Sequence, residues 1–149
     1  MNSEKVNRSG FRVVPDTNVI LASKLAKSQK SPNREFIDRW LNREFLILYS
    51  TDTRIEYVKK LQEKGIATSD IFELLESLFV LGEKVTIHYF HLLDYPTDTE
   101  DIRFLLCAEN GGGTHLVSYD QHLLELQGKF SFKIIKLIPF LKELRAKIG

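Results

Sequence analysis

Apolar positions along this chain fall into two alternating patterns, and the alternation lays out a fold. Short apolar runs stand at Phe11–Val14, Phe45–Tyr49, Val85–Ile87, His115–Ser118 and Phe132–Lys136. Each has strand length and is bounded by turn-forming or charged residues. Between them apolar residues recur at helical spacing: Phe36, Ile37, Trp40 and Leu41, then Ile55, Val58 and Leu61, then Ile71, Leu74, Leu75, Leu78 and Phe79. Pro15 limits the first run, and Asp16 or Thr17 is placed to cap a helix through Leu25. Ser31 before Pro32 reads as a capping serine with proline at the first helical position. Ser50 or Asp52 caps the next helix, which stops near Gly65. Ser69 or Asp70 opens another, ended by Gly82.

His88–Asp98 reads as a loop, and Thr97-x-x-Glu100 has the capping-box spacing ahead of a helix over Asp101–Glu109. The glycines at 111–113 break that helix. A short helix is predicted from Asp120 to about Leu126, and Pro139 starts a terminal one to Lys147. Residues 1–9 are polar and expected to fray. Strands alternating with helices predict an α/β three-layer sandwich: a central, mainly parallel sheet of about five strands flanked by helices. A length of 149 residues fits a single domain over 1–149 with a core of its own.

Composition narrows the class. At 43% hydrophobic and 28% charged, the chain is globular rather than disordered. A net charge of +1 gives no global basic field, but an acidic cleft can cancel a basic rim in the sum. Cys107 is the lone cysteine, so neither an internal disulfide nor a cysteine-based zinc site is available; its apolar neighbours mark it as a core thiol. The polar start resembles no signal peptide, and no run approaches membrane-spanning length. The expectation is a reduced, cytoplasmic protein without a membrane partner.

The chemistry lies in four carboxylates. Asp16 and Asp120 closely follow predicted strands, Glu56 sits on a helix, and Asp101 opens one. Each has an ordinary explanation taken singly. Asp16 and Asp120 serve as N-caps worth ~1 kcal/mol, Glu56 can pair with Lys60 four residues on, and Asp101 suits a helix dipole, as do Asp98 and Glu100. Parallel sheets, however, bind ligands beyond the carboxyl ends of their strands, where Asp16 and Asp120 would meet. Acids gathered without matching cations call for a metal, and hard oxygen ligands with open positions suit Mg²⁺ or Mn²⁺ and phosphodiester chemistry.

Four segments occur in order: Val-Pro-Asp16-Thr-Asn18-Val-Ile-Leu; Ser50 followed by Glu56-Tyr57; Asp101-Ile-Arg-Phe-Leu-Leu-Cys-Ala108 before a glycine turn; and Leu116-Val-Ser118-Tyr119-Asp120. In this the chain resembles the PIN-domain ribonucleases, nearest the branch that includes VapC-type toxins of toxin–antitoxin pairs. The resemblance implies RNA cleavage with Mg²⁺ or Mn²⁺ held by Asp16, Glu56, Asp101 and Asp120, which serve as catalytic residues and metal ligands, with Asn18 and Ser118 as supports. It also implies an antitoxin that caps the cleft with a basic side chain, and a homodimer, for which the Ile71–Phe79 helix is a candidate surface. The chain departs from the family in Ser118-Tyr119 ahead of the last acid, where a tyrosine narrows the cleft or stacks on a base. A longer loop before Asp101 leaves Asp98 and Glu100 as rivals for the third acid.

Phosphate contacts are sought among Arg34, Arg39, Arg54, Lys59 and Lys60, with Lys24, Lys27, Lys30 and Arg43 as further candidates. Trp40, at helical spacing, reads as core, and none of the four histidines has zinc spacing. The alternatives are the same fold kept as an RNA- or protein-binding scaffold, and a receiver-type phosphotransfer domain. The receiver needs a phosphate-accepting Asp after the third strand, where this chain has Ile-His.

Overall fold

Strand β1 (Arg12–Pro15) lies at the centre of the molecule because nothing polar interrupts it: Val13 and Val14 are fully buried on opposite faces. A sheet buried on both faces needs helices on both. The computed structural model, which describes residues 5–149, supplies them in the order β1, α1 (Thr17–Leu25), α2 (Pro32–Leu41), β2 (Leu46–Tyr49), α3 (Thr51–Glu63), α4 (Thr68–Leu81), β3 (Glu83–Lys84), a 3₁₀ turn (Thr99–Asp101), α5 (Ile102–Asn110), β4 (His115–Val117), α6 (Gln121–Leu124), β5 (Lys133–Ile135) and α7 (Leu137–Ile148). The five strands are all parallel in the order β3-β2-β1-β4-β5. This is the predicted α/β sandwich.

The sheet order matters for the site. From β1 the chain passes to β2 on one side, whereas β4 pairs on the other. The crevice at such a reversal is where open parallel sheets bind ligands. The Asp16 amide donates to the Val117 carbonyl at 2.9 Å, so the ends of β1 and β4 are locked in register.

Local chemistry explains most helix starts. The Ser31 hydroxyl accepts from the Asn33 amide at 3.2 Å, with Pro32 in the first turn. Ser50 and Thr53 form a reciprocal capping box on α3. Other expectations shift. Helix α4 starts after Ala67 with no side-chain cap from Ser69 or Asp70. The turn before α5 is capped by Asp98, which accepts from the Glu100 amide at 2.9 Å, rather than by a box from Thr97. Helix α7 begins two residues before Pro139, whose missing N–H costs nothing in the first turn.

Strand β3 is Glu83–Lys84, two residues earlier than the apolar run at Val85–Ile87. The ladder ends as the Val85 amide donates to the Tyr49 carbonyl at 2.7 Å, and Ile87 lies in the irregular stretch beyond. The fraying expected over residues 1–9 does not reach Arg8 and Ser9, whose amides donate to the Arg43 and Glu44 carbonyls, each at 3.0 Å. Lys5 donates to the Phe79 and Val80 carbonyls at the end of α4; the first four residues lie outside the described ones. Trp40, Phe36 and Tyr57 are among the largest buried side chains, and Trp40 is core as predicted. Cys107 is buried too, and burial pushes its thiol up to about 12. No helix among the described residues is long and apolar enough to cross a membrane.

Candidate active site

Asp16, the residue after β1, is only 5% exposed. Its Oδ2 accepts from the Ser118 hydroxyl at 2.5 Å and its Oδ1 from the Asn18 amide at 3.3 Å. Burial nevertheless raises its pKa above the ordinary carboxylate value, with the Asp120 charge adding to it and the two donors opposing. Asn18 supports the carboxylate through its backbone amide. Ser118 does use its side chain, and the same oxygen accepts from the Asp120 amide at 2.9 Å. Asp120 caps α6, accepting from the His122 amide at 2.9 Å.

Asp101 reaches these acids from the start of α5. It is 7% exposed, and its Oδ2 is wholly buried with no hydrogen-bond partner. Its pKa is raised to about 7, first by burial, then by the Asp120 charge and the hydrogen bond a protonated Asp101 makes with Asp120, then by Asp16 and Asp98. Of the rivals for the third acid, Asp98 and Glu100 are both exposed, and Asp98 is engaged as a cap.

Glu56 behaves differently. It is buried to 5% exposure, and its Oε2 accepts from Arg103 Nη1 at 3.0 Å. The pairing expected with Lys60 is not formed; Lys60 pairs with Glu63 at 3.4 Å instead. Arg103 was not singled out as a site residue by sequence reasoning, and it qualifies the view of four acids without a matching cation. Its visible signal is a basic residue two positions after Asp101, but its partner is set by the packing of α3 against α5, which spacing does not disclose. Tyr57 was also missed: its buried hydroxyl donates to the Pro15 carbonyl, bracing the end of β1 beside Asp16.

Carboxylates of which one has a buried, partnerless oxygen and two have pKa values raised first by burial are donors of the kind a hard divalent cation takes. Among the described residues, however, no three His, Cys, Asp or Glu side chains stand in a ligand-ready arrangement. Burial is the first cause of the raised pKa of Asp16 and of Asp101, and the Asp120 charge adds to both, while Glu56 is held by Arg103.

The basic candidates divide. Arg39 donates to Glu35 at 2.7 Å and to the buried Glu44 at 2.5 Å, and Arg145 joins the same Glu35, so Arg39 is the centre of a structural network. Arg34 pairs with Asp38 at 3.2 Å. Arg54 and Lys59 form no ion pair among the described residues and line an apolar groove of about 620 Å³ between α3 and α4, with Val58, Leu75 and Phe79. On α4 Ile71, Leu74 and Leu78 are core, whereas Phe72 and Phe79 are exposed. Tyr119 is exposed beside Asp120, its hydroxyl 3.5 Å from Asn33 Oδ1.

A parallel α/β sheet with crowded acids at its reversal point has the form of a nuclease scaffold. A family model described as PIN domain matches residues 12–122. The chain belongs to the PIN-domain family, whose members are typically nucleases. It is similar in fold to the crystal structure of PAE2754 from Pyrobaculum aerophilum, with a TM-score of 0.54 and 17% identity, covering 95% of this chain and 93% of that one. No curated protein matches the chain.

Proposed function

We propose that the protein is a metal-dependent endoribonuclease that hydrolyses RNA phosphodiester bonds with Mg²⁺ or Mn²⁺ held by Asp16, Asp101, Asp120 and Glu56. The observation that carries this reading is the buried, partnerless Oδ2 of Asp101, whose pKa is raised to about 7 by burial and then by the carboxylates beside it. A fold gains nothing from such crowding unless a cation relieves it. A bound divalent ion supplies charge for a phosphate oxygen and activation for an attacking water.

The chain's own groups prepare that chemistry. Ser118 opposes the effect of burial on Asp16 and fixes its carboxylate at the end of β1. Asp120, tethered by its amide to Ser118, lies beside Asp101, whose own carboxyl is raised to about 7 by burial and then by the neighbouring acids. Arg54 and Lys59, which form no ion pair among the described residues, are basic side chains free to meet phosphates, and Lys60, paired with Glu63, feels the charges of Glu56 and Glu100. We read the physiological role as the toxin of a toxin–antitoxin pair, with an antitoxin as partner and a homodimer formed through exposed Phe72 and Phe79. That finer role rests on the sequence resemblance.

A second reading, a catalytically weak scaffold that binds RNA or protein, is favoured by one feature: Arg103 already neutralises Glu56. The test is cleavage of an end-labelled RNA pool with Mn²⁺ or Mg²⁺ and with chelator, beside Asp16→Asn. Cleavage that needs both the metal and Asp16 supports the nuclease. A folded protein that neither cleaves RNA nor binds Mn²⁺ supports the scaffold.

A further inference from the structure

Of the four acids, Glu56 alone is met by a guanidinium among the described residues. A carboxylate this deeply buried is costly unless paired, and Arg103 is its partner across α3 and α5. The arginine is not locked in place. Its side chain is 27% exposed, its other contact is from Nε to the Glu100 carbonyl at 3.0 Å, and Nη2 has no partner among the described residues. It leaves the backbone two residues after Asp101, in the first turn of α5.

We propose that Arg103 is a positioning residue that withholds Glu56 from the divalent-cation site until an RNA phosphate draws the guanidinium away. The proposal rests on the nuclease reading above. Glu56 has one carboxylate and two cationic claimants, so a metal ion and Arg103 compete for it. An arginine fork matches a phosphate as well as it matches a carboxylate, and a phosphodiester offers it a partner outside the cluster. Among the described residues Asp16, Asp101 and Asp120 form no ion pair, so Glu56 is the acid for which a bound ion would have a competitor. Once the guanidinium turns to phosphate, Glu56 is free to complete the set. Metal and RNA then strengthen each other's binding, because coupling between two sites is reciprocal.

The test is Mn²⁺ titration without RNA, followed by electron paramagnetic resonance, on the wild type and on Arg103→Gln, Glu56→Gln, the double variant and Asp16→Asn. The expected result is Mn²⁺ binding roughly tenfold tighter in Arg103→Gln, within the usual range of coupled sites. That gain largely disappears when Glu56→Gln is also present, because the carboxylate released by the first change is gone. Melting curves give a second readout: Arg103→Gln melts lower without metal, and Mn²⁺ raises its melting temperature more than that of the wild type. No gain in Arg103→Gln, or a gain that persists in full beside Glu56→Gln, overturns the proposal. If Asp16→Asn still weakens Mn²⁺ binding in that case, the nuclease reading stands. Absence of Mn²⁺ binding in every folded variant overturns both.

Discussion

Ser118 and Asp16, 102 residues apart in sequence, are joined by a hydrogen bond of 2.5 Å, and the same serine oxygen holds the Asp120 amide. One hydroxyl therefore registers two acids from neighbouring strand ends. In Ser118→Ala the buried Asp16 carboxylate loses its strongest donor, which costs on the order of 1–3 kcal/mol. RNA cleavage is expected to fall by tenfold or more on the same scale, while Ser118→Thr retains much of it. Equal rates in all three proteins, measured at saturating Mn²⁺, would show that the serine does not organise the acids.

Asp101 makes metal-free stability depend on pH. Its carboxyl titrates near 7 in the fold and near 3.8 when unfolded, so between these values the folded state holds the extra proton. Its stabilising contribution is complete below about 3.8 and is lost as pH rises through about 7. Asp16, also raised by burial, acts with the same sign. His115, lowered by burial and so kept neutral, acts with the opposite sign, destabilising the fold as pH falls. The difference between wild type and Asp101→Asn isolates the Asp101 effect. In chelator the variant should melt above the wild type at pH 8, by roughly 2–4 °C per kcal/mol of repulsion removed, and the two should converge near pH 4. A gap that does not change with pH would contradict the assignment.

The basic side chains should separate by what they already hold. Lys59→Ala and Arg54→Ala each remove a cation without an ion pair, so each should lower the log–log salt slope of RNA binding by about 0.7 at unchanged stability. Arg39→Ala should leave that slope unchanged and instead destabilise the fold by about 1–3 kcal/mol, because it strands the buried Glu44. Filter binding across a salt series, beside urea unfolding, distinguishes the two kinds of arginine.

Gly111 offers a purely steric test. A Cβ there would lie 2.7 Å from Val85 Cγ2 and 2.9 Å from Leu48 Cδ1, at the junction of α5 with the strand end. Gly111→Ala should cost about 1–3 kcal/mol as those side chains are forced apart. Neighbouring Gly112, at φ +62°, has open space around it, so Gly112→Ala should be penalised by backbone strain alone. Urea midpoints for the two variants measure the contrast.

Much of this architecture was legible because its signals are local. Ser31-Pro32, Ser50 before α3 and the glycines after α5 each act within a few residues. Strand β3 was displaced because its pairing with β2, not its own apolarity, selects Glu83–Lys84. The strand-end acids could be placed from the parallel pattern alone. The partner of Glu56 could not, because α3 and α5 meet only in the folded chain, and Lys60, the obvious partner by spacing, turned to Glu63.

The central place of β1 has a consequence during synthesis. The ribosome delivers Asp16 early, but the β4 strand that pairs with β1 and the serine that holds its acid arrive about a hundred residues later. A nascent chain therefore carries the first acid long before its companions, and a product truncated before Ser118 has neither the hydroxyl nor Asp120. Until the last third of the chain has been made, the end of the sheet carries one acid without the hydroxyl that holds it or the acid beside it.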